Sequence, residues 1–212
     1  MTGGVALTKT EVTVVSFGGR RPPRALAGMP VVAGAHGAAL DPLIAGARRV
    51  AVLGADADLA AVLTALMRAE LLDIEVAWVR GRPWTAVDTR RAVRGSARRV
   101  PLIRDDTGTV VVSSAMWLPP DGSAALCGEA VVDDTVLFDG EVAAVRIEPT
   151  AELPGLRARL LGSTAGGGRW ISGRAAQLGT TGVRVLRDGV PGTRELKRST
   201  FYRHTTGWLR VN

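Results

Sequence analysis

The 212-residue chain predicts two successive structural classes: an α/β domain with a parallel sheet over residues 1–105, then an antiparallel β domain over 106–212. Three observations predict this. An apolar strand, an amphipathic helix and a second apolar strand follow one another over residues 49–79, the pattern of a βαβ unit. Beyond residue 105, short β-rich runs alternate with turn signals. The charge divides in the same way: residues 1–105 carry 15 basic and 9 acidic side chains, residues 106–212 carry 12 and 11.

The first strand is expected at residues 11–17 (EVTVVSF), a β-branched run. The segment from Gly18 to Pro30 carries three prolines and three arginines and reads as an exposed loop. A short helix follows within residues 38–47, with Asp41 as N-cap and Pro42 as its first residue.

Residues 49–53 (RVAVL) suit a strand buried on both faces. Residues 58–70 (DLAAVLTALMRAE) have helical spacing, with Leu59, Val62, Leu63, Leu66 and Met67 on one face and Asp58 as N-cap. Residues 74–79 (IEVAWV) form the next strand, and 85–96 a further helix. Asp105-Asp106-Thr107-Gly108 predicts a hairpin turn into residues 109–113. The later strands are expected at 124–132, 135–138, 142–148, 157–161, 170–177, 183–187 and 208–211, with Asp139-Gly140 and Asp188-Gly189 as turns.

Composition excludes several classes. One cysteine, Cys127, cannot form an internal disulfide, and its strand context reads as a buried, inert thiol. The two histidines, His36 and His204, lie far apart with no HExxH pair, so a zinc peptidase site of that type is excluded, and no metal-ligating residues are singled out. No apolar stretch is long enough to span a bilayer, and no signal peptide is visible. A cytoplasmic protein is the expectation.

Of the 27 basic residues, 25 are arginines. Eight of them (Arg80, Arg82, Arg90, Arg91, Arg94, Arg98, Arg99 and Arg104) fall within residues 80–104, with Asp88 the only acid between them. Guanidinium forks suit phosphate geometry, which points to an anionic partner; solvated surface charge is the alternative. Nucleic acid is disfavoured, because no recognition motif accompanies the charge.

Ligands of open α/β sheets bind beyond the carboxyl ends of the strands. The turn Gly54-Ala55-Asp56-Ala57-Asp58 stands at such an end and opens a helix whose N-terminus favours anions. Asp56 there could orient a metal ion or act as a general base toward a hydroxyl; a plain tight turn is the alternative.

This strand–turn–helix arrangement resembles the diacylglycerol kinase family, lipid kinases related to NAD kinases and sphingosine kinases. The family turn reads GGDGT. Gly54 and Asp56 match it, whereas Ala55, Ala57 and Asp58 depart from it. The family's next strand leads to a Gly-Thr loop, represented here by Arg80-Gly81-Arg82, with Gly81 the one match. Its late Asp-Gly-Glu turn corresponds to Asp188-Gly189-Val190, without the Glu.

The resemblance implies an antiparallel β-sandwich as second domain and a ligand crevice between the domains. It also implies ATP and magnesium as cofactors, a lipid hydroxyl as acceptor, and Asp56 as catalytic group. Gly54, Ala55, Ala57, Asp58, Arg80, Gly81 and Arg82 would then bind the nucleotide. The departures imply a divergent, degenerate member of actinobacterial type. Alanine at 55 or 57 is penalised wherever the turn needs positive φ, and Asp58 adds negative charge beside the expected phosphate. The competing reading is a non-catalytic scaffold module that uses the arginine-rich surface for an anionic partner.

Overall fold

The computed structural model describes residues 10–80, 86–162 and 168–212. In chain order the elements are β1 (Thr10–Ser16), β2 (Val31–Ala33), α1 (Pro42–Ala45), β3 (Ala47–Leu53), α2 (Asp56–Arg68), β4 (Glu75–Val79), α3 (Ala86–Arg94) and β5 (Ala97–Val100). There follow β6 (Ile103–Asp105), β7 (Val110–Val111), β8 (Ala115–Leu118), β9 (Leu126–Val132), β10 (Thr135–Val142), β11 (Ala144–Pro149), β12 (Leu156–Leu161) and β13 (Ile171–Gly173). The last are β14 (Ala175–Arg187), β15 (Val190–Pro191), β16 (Leu196–Arg203) and β17 (Trp208–Val211). Contacts divide the chain into two units. One comprises residues up to Arg99 together with Trp208–Asn212; the other is Val100–Gly207.

The first unit is built on a sheet of order β2-β1-β3-β4-β17-β5. The pairs β2–β1, β1–β3, β3–β4 and β4–β17 are parallel. Strand β3 holds the centre because its side chains from Val50 to Leu53 are all apolar and fully buried, as a strand covered on both faces requires. On one face, Leu59, Val62, Leu63 and Leu66 bury the apolar stripe of α2. On the other, Ala51, Leu53, Ala77 and Val79 pack with Ala92 of α3 and with Leu26.

Leu26 corrects one expectation. The Gly18–Pro30 segment is not a wholly exposed loop, because a 3-10 turn at Arg24–Leu26 drives this leucine fully into the core. The α1 cap is as expected: Asp41 accepts a 2.8 Å hydrogen bond from the Leu43 N–H, and Pro42 opens the helix.

Arg49 of β3 is buried and holds α3 in place. Its guanidinium donates to Glu75 on β4 and to the carbonyls of Ala92, Val93 and Gly95. These carbonyls end α3 and lack partners within the helix, so the cation satisfies them.

The second unit is a β-sandwich whose layers share β14. Residues 175–180 of that strand pair with β9 and β16, and residues 184–187 with β8. A register shift between Gly179 and Val183 carries the strand from one layer to the other. Trp117, Leu126, Ile147, Leu156, Val185 and Phe201 fill the core between the layers. The Trp117 indole N–H keeps a partner there, Ser199 Oγ at 2.9 Å.

The β6–β7 hairpin forms at the expected place. Asp105 is fully buried, accepts from the Thr107 and Thr109 N–H groups, and pairs with Arg187 at 2.5 Å. Two other expectations change. Asp139-Gly140 is not a turn; it lies within β10 with Gly140 opposite Gly128, and the hairpin instead turns at Asp133, whose φ is 49°. Residues 208–211 are not part of the antiparallel sheet. Strand β17 returns to the first unit, parallel to β4, with Arg210 opposite Val76 and Val211 in the core.

Candidate functional site

In the order β2-β1-β3-β4, the chain leaves β1 toward one side of the sheet and β3 toward the other. The carboxyl ends of β1 and β3 therefore flank a topological switch point. Three segments meet there: Phe17 after β1, the 34–37 loop after β2, and the 54–58 turn after β3.

The turn differs from its sequence reading. Helix α2 begins at Asp56, and Ala55 is its N-cap with φ −80° and ψ −177°. Asp58 is thus the third residue of the helix, not the cap. Ala55 has no side-chain oxygen, so the Asp58 carboxylate reaches back and accepts from the Ala55 N–H at 2.8 Å. Neither alanine stands at positive φ, since Ala55 is extended and Ala57 lies in the first turn of the helix. The penalty expected for alanines here does not arise.

Gly54 is needed for space. A Cβ on it would lie 2.5 Å from both the Cβ and the Oδ2 of Asp58. The second Asp58 oxygen meets His36 Nε2 at 2.8 Å. An ionised carboxylate only accepts, so His36 Nε2 carries the proton. The imidazole is half exposed and packs against Phe17 with ring centroids 5.4 Å apart. Both oxygens of Asp58 are therefore committed.

Asp56 has no hydrogen-bond or ion-pair partner among the described residues and is half buried. Among the described residues no three His, Cys, Asp or Glu side chains converge as a metal site. A cavity of about 200 Å³ adjoins the switch point, with Phe17, Ala35, Ile44, Val62 and Ala65 among its apolar walls and Asp41 as its one acid.

Trp78 connects β4 to the turn. Its indole N–H donates to the Gly54 carbonyl at 3.2 Å, and the Arg80 guanidinium lies 3.5 Å from the centroid of its ring. Sequence reasoning placed Arg80 at the site but missed Trp78, whose alternation with Arg80 along an extended chain was the available signal. Gly81 and Arg82 lie outside the described residues, as does Trp84.

The other arginines of the basic run are distributed over several elements. Exposed Arg90, Arg91 and Arg94 lie on α3, and Arg98 and Arg99 on β5, where Arg99 pairs with Asp73. Arg104 lies on β6 in the second unit, its Cζ 4.7 Å from the Tyr202 ring centroid.

Three further candidates resolve structurally. Asp188 accepts from the N–H groups of Val112, Ser113 and Ser114, which fully occupies it as a loop staple. Cys127 is not buried as expected but partly exposed on β9, where desolvation and the neighbouring Glu141 raise its pKa and so disfavour the thiolate. Phe201 is core, as expected, but Trp208 belongs to the first unit.

No protein-family profile and no curated protein matches the chain. Solved structures do. A diacylglycerol kinase from Bacillus anthracis superposes with a TM-score of 0.70 at 9% identity, over 95% of this chain and 96% of that one. The chain has the diacylglycerol kinase and NAD kinase fold. An NAD kinase from Archaeoglobus fulgidus in complex with ATP superposes as well, with a TM-score of 0.62 at 12% identity over 95% of this chain and 93% of that one. In this kinase fold, the likeness extends across both units. No helix among the described residues is long and apolar enough to cross a membrane.

Proposed function

We propose that this kinase-fold protein binds a nucleotide or phosphorylated ligand at the carboxyl ends of β3 and β4 and has lost phosphoryl transfer from ATP to a lipid hydroxyl. The observation that carries the reading is the commitment of Asp58 to Ala55 and His36. Phosphoryl transfer depends on positioning and on neutralising phosphate charge. Here the first helical turn carries Asp56 and Asp58, and among the described residues no arginine or lysine pairs with either of them. The side chains present do not fit a protein-held magnesium, because Asp58 is occupied and Asp56 stands alone.

What remains is a binding site. Asp56 accepts a hydrogen bond from a ligand hydroxyl, and Arg80 offers a fork to its phosphate. The ATP held by the Archaeoglobus NAD kinase supports a nucleotide as the ligand. Magnesium enters only as the counterion that ATP brings with it.

The test is a titration of Mg-ATP into the wild type and Asp56→Ala, followed by tryptophan fluorescence and melting temperature. A saturable response in the wild type that weakens in the variant is expected. No response at millimolar ATP overturns the nucleotide reading. Transfer of labelled phosphate to a diacylglycerol overturns the loss of catalysis.

A further inference from the structure

The sheet of the first unit gathers three arginines that are far apart in the sequence. Strands β4, β17 and β5 are neighbours, with Arg210 opposite Val76. Side chains alternate along a strand, so Arg210 shares a face with Val76, Trp78 and Arg80. The Arg80 guanidinium is folded back over Trp78 on that face. Ala97 packs into the core of the opposite face, so Arg98, the next residue of β5, points to the side of Arg80 and Arg210.

All three side chains are exposed. Glu75 belongs to the other face, where it is held by Arg49, and Asp73 is held by Arg99. Neither Arg80 nor Arg210 has a carboxylate partner among the described residues.

We propose that Arg80, Arg98 and Arg210 form a binding site for a polyphosphate group on the β4–β17–β5 part of the first sheet. The proposal rests on the ligand reading above and deepens it: the phosphates of that ligand sit on arginines, not at the N-terminus of α2. Two arguments favour this placement. Asp56 and Asp58 make the start of α2 acidic and repel phosphate. Arg80 and Arg210, which have no carboxylate partner among the described residues, repel one another, and a multivalent anion converts that repulsion into attraction. Desolvation first, and then the charges of Arg80 and Arg98, hold the Arg210 pKa below its usual value, in keeping with the shared face. Trp78 spans the two halves of the site, with its N–H on the Gly54 carbonyl and its ring face under Arg80.

The experiment uses inorganic tripolyphosphate and Mg-ATP as separate probes, with calorimetric titration of the wild type, Arg98→Gln, Arg210→Gln and Arg90→Gln. Arg90 is exposed on α3 and controls for net charge. Each of the first two variants should weaken tripolyphosphate binding roughly tenfold or more, as expected for a lost charge-assisted hydrogen bond. Arg90→Gln should change it by about twofold or less.

A second readout separates binding from folding. Without ligand, Arg210→Gln should melt no lower than the wild type, because a repelling charge is gone; with tripolyphosphate the wild type should melt higher. Unchanged affinity in Arg98→Gln and Arg210→Gln overturns the site, as does an equal loss in Arg90→Gln. Tripolyphosphate binding that needs these arginines, without ATP binding, leaves the site standing and overturns the nucleotide reading. ATP binding indifferent to them does the reverse.

Discussion

The Asp58 carboxylate bridges the His36 imidazole, 2.8 Å from Nε2, and the backbone N–H of Ala55, also at 2.8 Å. One side chain thereby ties the loop after β2 to the turn after β3. The geometry gives Asp58 two opposed effects. It stabilises the helix start through a hydrogen bond and a favourable charge on the macrodipole. On the proposed ligand reading, it also repels a phosphate approaching the turn.

Asp58→Ala should therefore lower the unfolding free energy by about 1 kcal/mol, the usual size of a lost N-terminal cap. Asp58→Asn keeps an acceptor for the Ala55 N–H and removes the charge. It should cost less stability and tighten tripolyphosphate binding severalfold. Chemical denaturation and calorimetry measure the two effects on the same samples. Weaker phosphate binding by Asp58→Asn would show that the carboxylate assists the ligand.

Gly54→Ala tests the packing behind that bridge. The added methyl meets the Cβ of Asp58 as well as its Oδ2, so rotating the carboxylate away does not relieve the contact. The turn must shift, at a cost of about 1–3 kcal/mol. The His36 and Ala55 contacts should be lost together, seen as coupled shifts of the His36 ring and Ala55 amide resonances. A variant that melts like the wild type would show that the turn has slack.

The elements that positioned this turn were readable because their signals are local. Val50 to Leu53 announce a doubly covered strand, and Leu59, Val62, Leu63 and Leu66 announce the helix after it. Asp41-Pro42 announces its cap within two residues. Asp58 was misread because a cap is sought at the first polar residue before an apolar run, and Ala55 hides the true one. Strand β17 was misassigned because parallel pairing of Arg210 with Val76 joins distant segments without a turn between them. Strand β16 was missed because its inward face includes Ser199, whose partner, the Trp117 indole, is visible only in the fold. The Arg80–Arg98–Arg210 group was unreadable for the same reason: the visible run of arginines in the sequence is not the set that the sheet assembles.

His204 gives a pH signature to the second unit. Burial, and then the charge of Arg104, hold its imidazole below the ordinary value of 6.5. The unfolded chain therefore binds this proton more readily than the folded one, so stability rises with pH across this range. The contribution is full above pH 6.5 and is lost as pH falls from there toward the folded-state pKa. His204→Gln should flatten the fall in stability just below pH 6.5. Glu148 acts in a lower window: desolvation raises its pKa, but hydrogen bonds from Arg157 and Arg146 outweigh it and leave the net value lowered from 4.5. Its contribution is present above that value and lost on further acidification. Identical slopes for the wild type and His204→Gln just below pH 6.5 would remove His204 as the cause.

Arg49 should prove the most sensitive position of the first unit. Its side chain is 9% exposed, and its Nε lies 2.7 Å from Glu75 Oε2. The other two nitrogens reach the Ala92, Val93 and Gly95 carbonyls at 2.7–3.2 Å. Arg49→Met fills similar space but strands the Glu75 carboxylate and the end of α3. Breaking a buried pair in this way costs about 3–5 kcal/mol. Arg49→Lys keeps the charge without the fork, so it cannot serve Glu75 and three carbonyls at once and should fall between the two. Because the contacts gather on α3, amide exchange in that helix should accelerate more than in α2. A loss below about 1 kcal/mol for Arg49→Met, or uniform acceleration across both helices, would mean that α3 is held by its apolar contact at Ala92 and not by the buried cation.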